Sequence, residues 1–182
     1  MNNLFKYQRA INSILYSLQK LGGKTDMHKI CKILYFADQK HLAQYGRSIT
    51  GDTYIAMRYG PVPSYIDDLL KAIRGDSFFS SSSEIEPLKD LFVFENRFII
   101  RGLKAPDLNE LSRTDTECLD YAVNLCRDKS FDELTKMSHG IAWNNTMTDR
   151  AMSIKDILRE IGEDESYADY IADSLRTQKA FM

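Results

Sequence analysis

The sequence predicts an α+β, mostly α fold: a helical bundle of about six to seven helices with a small three-stranded antiparallel sheet. Three observations lead there. Apolar residues recur at helical spacing near both ends of the chain. Short runs at 53–59, 91–94 and 97–101 read as strands, the first by strict alternation. Two capping-box patterns open helices in the second half.

Residues 4–21 form the first amphipathic helix, with Tyr7, Ile11, Ile14, Leu18 and Leu21 in one stripe, and Gly22-Gly23 ends it. Thr25 or Asp26 caps a second helix through about Gln44, with Met27, Ile30, Leu34, Ala37 and Leu42 toward the core. Tyr45-Gly46 stops it. In the strand Thr53–Tyr59, Ile55, Met57 and Tyr59 share one face while Tyr54, Ala56 and Arg58 share the other. Gly60-Pro61-Val62-Pro63 is expected to break the pairing, because proline donates nothing to a ladder. Ser64 then caps a helix over Tyr65–Arg74.

Residues 75–87, with the run Ser80–Ser83, read as a mobile polar connection. The runs 91–94 and 97–101 make a hairpin that joins the 53–59 strand in one sheet. Thr114-x-x-Glu117 opens a helix to about Arg127, and Ser130-x-x-Glu133 opens another to about Trp143. After a polar break at 144–151, helices follow at 153–161 and 164–179, the last with Tyr167, Tyr170, Ile171 and Leu175 as its stripe.

At 182 residues, 43% hydrophobic and 27% charged, the chain has the composition of an ordinary soluble globular protein. No run of eighteen apolar residues exists, so no membrane span and no membrane partner are expected. The N-terminus lacks a basic segment followed by an apolar stretch, which disfavours export. Three irregularly spaced cysteines point to a reducing, cytoplasmic setting. Residues 1–60 carry nine Lys/Arg against three Asp/Glu, and the remainder fifteen against twenty-three. A basic first third can attract nucleic acid or an acidic protein surface. The cations are dispersed, so a solvated helix face is favoured and nucleic acid is disfavoured as a partner.

No catalytic constellation emerges. His28, His41 and His139 form no His-Glu-x-x-His pair, and Cys118 with Cys126 forms no Cys-x-x-Cys. No glycine-rich phosphate loop or nucleophile elbow is present, and Ser138 and His139 point about 100° apart on a helix. The expectation is a protein that is not an enzyme and holds no cofactor or metal. Tyr35 and Asp38, at i and i+3, read as a half-core tyrosine and a buried carboxylate bonded to the Gly51-Asp52 turn. A direct ligand contact is the competing reading. His139 and Trp143, at i and i+4, read as an aromatic stack, either packed or acting as a partner anchor.

Four segments carry a resemblance: Ile33–Asp38, Tyr45–Asp52, Tyr54–Ser64 and Leu134-Thr135-Lys136-Met137-Ser138-His139-(x)3-Trp143. Together they resemble the Panacea domain, the SocA-like antitoxin module also found in phage-associated proteins of the GepA type. The likeness runs from about residue 4 to 143. It implies a Panacea domain over residues 1–143, with 144–182 as a C-terminal helical extension packed on it or extending from it. It also implies an antitoxin of a toxin–antitoxin system that neutralises a cognate protein toxin, encoded nearby, by direct binding. One branch of the family acts as a proteolytic adaptor, which brings in a protease as a further partner. The family motif falls on Tyr35, Asp38, Tyr45, Gly46, Gly51, Asp52, Gly60, Pro61, Pro63, Ser64, His139 and Trp143, most of them expected to hold the fold. Some relatives append a DNA-binding helix-turn-helix. Residues 144–182 are too short and too acidic for one, with five Lys/Arg against eight Asp/Glu, and look instead like a partner-binding or dimerisation element. A nucleic-acid-binding transcriptional regulator or a phage-associated accessory protein is the alternative, and self-association stays open.

Overall fold

A computed structural model describes residues 7–76 and 85–180, and among these the chain is mostly helical with two small antiparallel sheets. The elements α1 (Gln8–Lys20) and α2 (Met27–Tyr45) are joined through the Gly22-Gly23 turn and β1 (Lys24–Asp26). Helix α2 is the spine. It packs against α1, α5 (Arg113–Cys126), α6 (Phe131–Ser138) and α8 (Ile154–Glu160). Residues 30–39 are consequently buried on every side, not along one stripe. A helix shows a single apolar face only where its other face meets water. Asp26 caps α2 by accepting from the Lys29 N–H at 2.8 Å, and Gly46 ends it in the left-handed region at φ 69°.

The sheets differ from expectation in membership. The three-stranded sheet has the order β1-β5-β4, where β4 is Phe92–Phe94 and β5 is Ile99–Gly102. The strand β2 (Tyr54–Met57) is not part of it. It pairs instead with β3 (Gly60–Pro63), the segment expected to break pairing. The reason is register. Tyr54 and Ala56 direct their backbone bonds to residues 149–152 on the other side: Ala56 N–H donates to Arg150 O, and Met152 N–H to Tyr54 O. The β3 ladder therefore runs through Ile55↔Val62 and Met57↔Gly60, and both prolines stand at positions that need no donor toward β2.

The polar break at 144–151 is thus partly a strand partner, with an antiparallel bridge Ile55↔Ala151. The first capping box is Ser112 with Asp115, not Thr114 with Glu117. The Thr114 hydroxyl is engaged by His41 Nε2 at 3.0 Å. The second box, Ser130 with Glu133, stands as read. Its helix stops at Ser138, and a separate turn, α7 (Ile141–Asn144), follows Gly140. Gly140 is extended, and a Cβ on it there would collide with the Glu160 carboxylate, so glycine suits this junction. Helix α3 spans Ser64–Arg74, and a short α4 (Glu86–Lys89) precedes β4. The run Ser80–Ser83 and residues 4–6 lie outside the described residues.

Helices α8 and α9 (Glu165–Ala180) close the molecule. Ile157, Leu158, Ala168 and Ile171 are buried in the common core, and Tyr167 and Leu175 pack against it. Tyr170, expected in the same stripe, is exposed. No described helix is long and apolar enough to cross a membrane.

Candidate partner-binding site

Two aspartates, Asp38 buried and Asp52 half-buried, organise the motif region. Asp38, on α2, accepts four hydrogen bonds: from Ile49 N–H at 2.7 Å, Thr50 N–H at 3.0 Å, Thr50 Oγ1 at 2.5 Å and Tyr54 OH at 2.8 Å. The turn it holds is therefore Ile49-Thr50, just before the Gly51-Asp52 step named from sequence. Burial raises the Asp38 pKa above the ordinary carboxylate value, and the four donors oppose the rise. Asp52 reaches forward instead. Its carboxylate accepts from Tyr65 N–H at 3.1 Å and Ile66 N–H at 2.9 Å, capping α3 in the place expected of Ser64. Ser64 makes no side-chain cap; its N–H donates to Thr53 O. One carboxylate ties the turn to α2 and the other ties the same turn to α3.

Gly60 and Pro61 are clamped between α2 and α6. A Cβ at Gly60 would meet Ser138 Oγ at 2.4 Å and Lys32 Nζ at 3.0 Å, and its φ of 97° disfavours any L side chain. Lys32 is fully buried and donates to Pro61 O at 2.8 Å. Burial lowers its pKa to about 8. Trp143 Nε1 donates to Met57 O at 2.9 Å, fastening the tip of the same hairpin. The His139 and Trp143 rings stack at 3.6 Å and 5°, although the helix breaks between them. Burial, and then the Lys32 charge, lowers the His139 pKa.

Tyr35 is wholly buried, not half-core, and its hydroxyl donates to Glu160 Oε1 at 3.0 Å. Glu160 also accepts from Gln39 Nε2 at 3.0 Å and from Ala142 N–H at 2.9 Å, so one α8 carboxylate binds α2 and α7 together. Tyr45, like Gly51, is exposed, with its ring 4.6 Å from His41. His41 belongs to a second polar knot, 3.1 Å from Asp115, which Arg47 also meets at 2.8 Å. Burial alone would raise the Asp115 pKa, but bonds from His41 and Ser112 and the Arg47 charge hold it well below the carboxylate range. The three cysteines are free and buried, and burial pushes the Cys31 and Cys126 thiols up to about 12.

The other face of the hairpin is open. Met57 and Val62, alternating with the buried Ala56 and Pro61, line a cleft of about 820 Å³. Its walls come from the start of α2, from α3, from the β4–β5 turn and from α6. An aromatic wall runs along one side, with Phe131 4.1 Å from the His28 ring and 5.2 Å from the Tyr59 ring. His28 bonds Tyr59 O at 3.2 Å while its Nδ1 is buried without a partner. Burial, and then Lys32, lowers its pKa to about 4. None of these cleft residues is among the motif positions singled out from sequence except by adjacency. The buried clamp on the hairpin's inner side did leave a signal, Lys32, a charge inside the apolar run Ile30–Leu34. Glu160 had none, lying 125 positions from Tyr35.

Among the described residues of the basic first third, several cations are paired or buried. Lys20 pairs with Asp120, Lys24 with Glu95 and Arg47 with Asp115, while Lys32 is buried. Among the described residues no group of His, Cys, Asp and Glu is arranged to hold a metal ion. Comparison with curated proteins and with solved structures returned no match. The family model described as antitoxin SocA-like, Panacea domain, matches residues 30–144, which contain both aspartate locks, the clamped Gly-Pro hairpin and the His139–Trp143 stack. The chain belongs to the SocA-like antitoxin family, as a Panacea-domain protein.

Proposed function

We propose that this chain neutralises a cognate protein toxin, encoded nearby, by direct contact in the cytoplasm and without catalysis. The family assigns an antitoxin-like role. The observation that carries the binding reading is the division of labour across one hairpin. On its inner side the polar motif groups Asp38, Asp52, Tyr35 and Trp143 are engaged by hydrogen bonds within the fold. On its outer side a rigidly held apolar cleft faces solvent. A surface of fixed shape with few groups able to move a proton is suited to recognition.

The test is co-expression with the product of the adjacent reading frame. Growth arrest by that product alone, relieved by this chain, is the expected result. A harmless neighbour, or toxicity that this chain leaves unchanged, sinks the proposal. Following the neighbour's half-life with and without this chain separates occlusion, which leaves it unchanged, from delivery to a protease, which shortens it.

A further inference from the structure

Resting on that reading, we infer that the cleft beside the β2–β3 hairpin seats an amphipathic helix of the partner, its apolar stripe flanked by carboxylates. Three features on the cleft specify this occupant. The floor and walls are apolar and aromatic, with Met27, Met57, Val62, Phe98 and Phe131 among them, and Phe98, Phe131 and Tyr59 stand substantially exposed. Exposed aromatic side chains in a concave site are the usual anchors of protein association.

The rim is cationic, although the chain as a whole carries a net charge of −2. Arg58, Lys71, Arg74 and Arg97 border the cleft, against Asp26 and Asp67. Asp26 is engaged as the α2 cap, and Asp67 is neutralised by Lys71 at 2.5 Å. Arg74 pairs with Asp76 at 2.7 Å. Arg58 lies over the Tyr59 ring, and neither it nor Arg97 has a carboxylate partner among the described residues. Two exposed guanidinium groups, Arg58 at the β2–β3 turn and Arg97 at the β4–β5 turn, select carboxylates on the partner, beside the apolar side chains that fill the floor.

The hairpin cannot receive an added strand. On the free edge of β3 the residues facing away from β2 are Pro61 and Pro63, which have no N–H, and Pro61 O is already held by Lys32. Strand addition draws its affinity from main-chain bonds, and these are missing here. A helix satisfies its own backbone and offers only side chains, at i, i+3, i+4 and i+7.

The experiment titrates the full chain with the purified product of the adjacent reading frame. It compares Val62→Glu on the floor, Arg58→Glu with Arg97→Glu on the rim, and a charge-matched control, Lys104→Glu with Arg113→Glu, away from the cleft. The expected result is a Kd raised at least about tenfold by the rim pair and further by Val62→Glu, with the control unchanged. Added salt should weaken wild-type binding more than that of the rim pair. Hydrogen exchange on the partner should then protect a helix. The rim arginines are exposed and have no carboxylate partner among the described residues, so that pair reports on docking even if Val62→Glu unfolds. Tight wild-type binding that the rim pair leaves at the control value overturns the inference while neutralisation stands. Protection of a partner strand overturns it as well. So does loss of self-association in the variants, which would make a second copy the occupant, or binding of a nucleic-acid duplex in place of the protein. A neighbour neither bound nor neutralised removes both readings.

Discussion

Asp38 shows how much one side chain can organise. Its four donors come from the turn after α2 and from β2, so removing the carboxylate strands two buried amides and two hydroxyls at once. Asp38→Ala is expected to lower stability by at least about 1–3 kcal/mol, the cost of leaving one buried group unpaired, measured by urea unfolding. An unchanged midpoint with lost partner binding would instead make Asp38 a contact residue. Gly60→Ala combines a disfavoured φ, costing about 1–2 kcal/mol, with a collision on Ser138 Oγ. Gly51→Ala shares only the positive φ, in open space, so it should cost less, and equal denaturation midpoints would refute the clamp. His28 sets a pH dependence. Its pKa falls from 6.5 unfolded to about 4 folded, so the unfolded chain binds the extra proton first. Its contribution is complete above pH 6.5 and is lost as pH falls through that window toward 4. From pH 7 to 5 the loss is about 2 kcal/mol at most, and His28→Gln should flatten the curve. Parallel pH profiles for the two proteins would show that another group titrates.

At the level of elements, α8 is bolted to α2 and α7 by Glu160, which serves the Tyr35 hydroxyl, the Gln39 amide and the Ala142 N–H. Glu160→Ala leaves the Tyr35 hydroxyl and the Ala142 N–H without an acceptor, while Gln39 keeps its bond to Ile157 O, and should cost about 2 kcal/mol or more. Native-state hydrogen exchange should show faster exchange in residues 154–171 before the rest of the fold opens. Uniform acceleration across α1 and α5 would mean that α8 has no stability of its own to lose. Glu160 also constrains the junction between α6 and α7, since its carboxylate occupies the space a side chain at the extended Gly140 would need. The β2–β3 hairpin is likewise held from outside, by Lys32, Trp143 and residues 149–152, as well as by its own short ladder.

For the whole molecule, the family match ends at residue 144 while the packed core continues through Ile171. A chain truncated after Asn144 would expose the 149–152 edge of β2 and the buried Tyr35. It is expected to lose cooperative unfolding, read by circular dichroism on heating. A sharp melt at the full-length temperature would show that the last helices are dispensable. The same closure keeps the hairpin rigid, and a rigid wall is what gives the cleft a fixed shape to offer a partner.

Much of this was legible along the chain. The Gly22-Gly23 and Gly46 stops, the Asp26 cap, the Ser130–Glu133 box and the 91–101 hairpin follow from chemistry acting within a few residues. So did the burial of Asp38, an acid among apolar neighbours, and the His139–Trp143 stack. Local patterning also misled where a distant group took over: His41 engaged Thr114 and moved the helix start to Ser112, and Asp52 displaced Ser64 as the cap of α3. By itself, then, the sequence determined the helical class, the turns and the motif that marks the family. Tertiary structure alone decided which strand pairs with Tyr54–Met57, what Tyr35 bonds, and that the hairpin's second face borders a cationic-rimmed cleft. The reason is range: caps and turns are settled by neighbours in the chain, whereas a cleft exists only where five separate segments are brought together by packing.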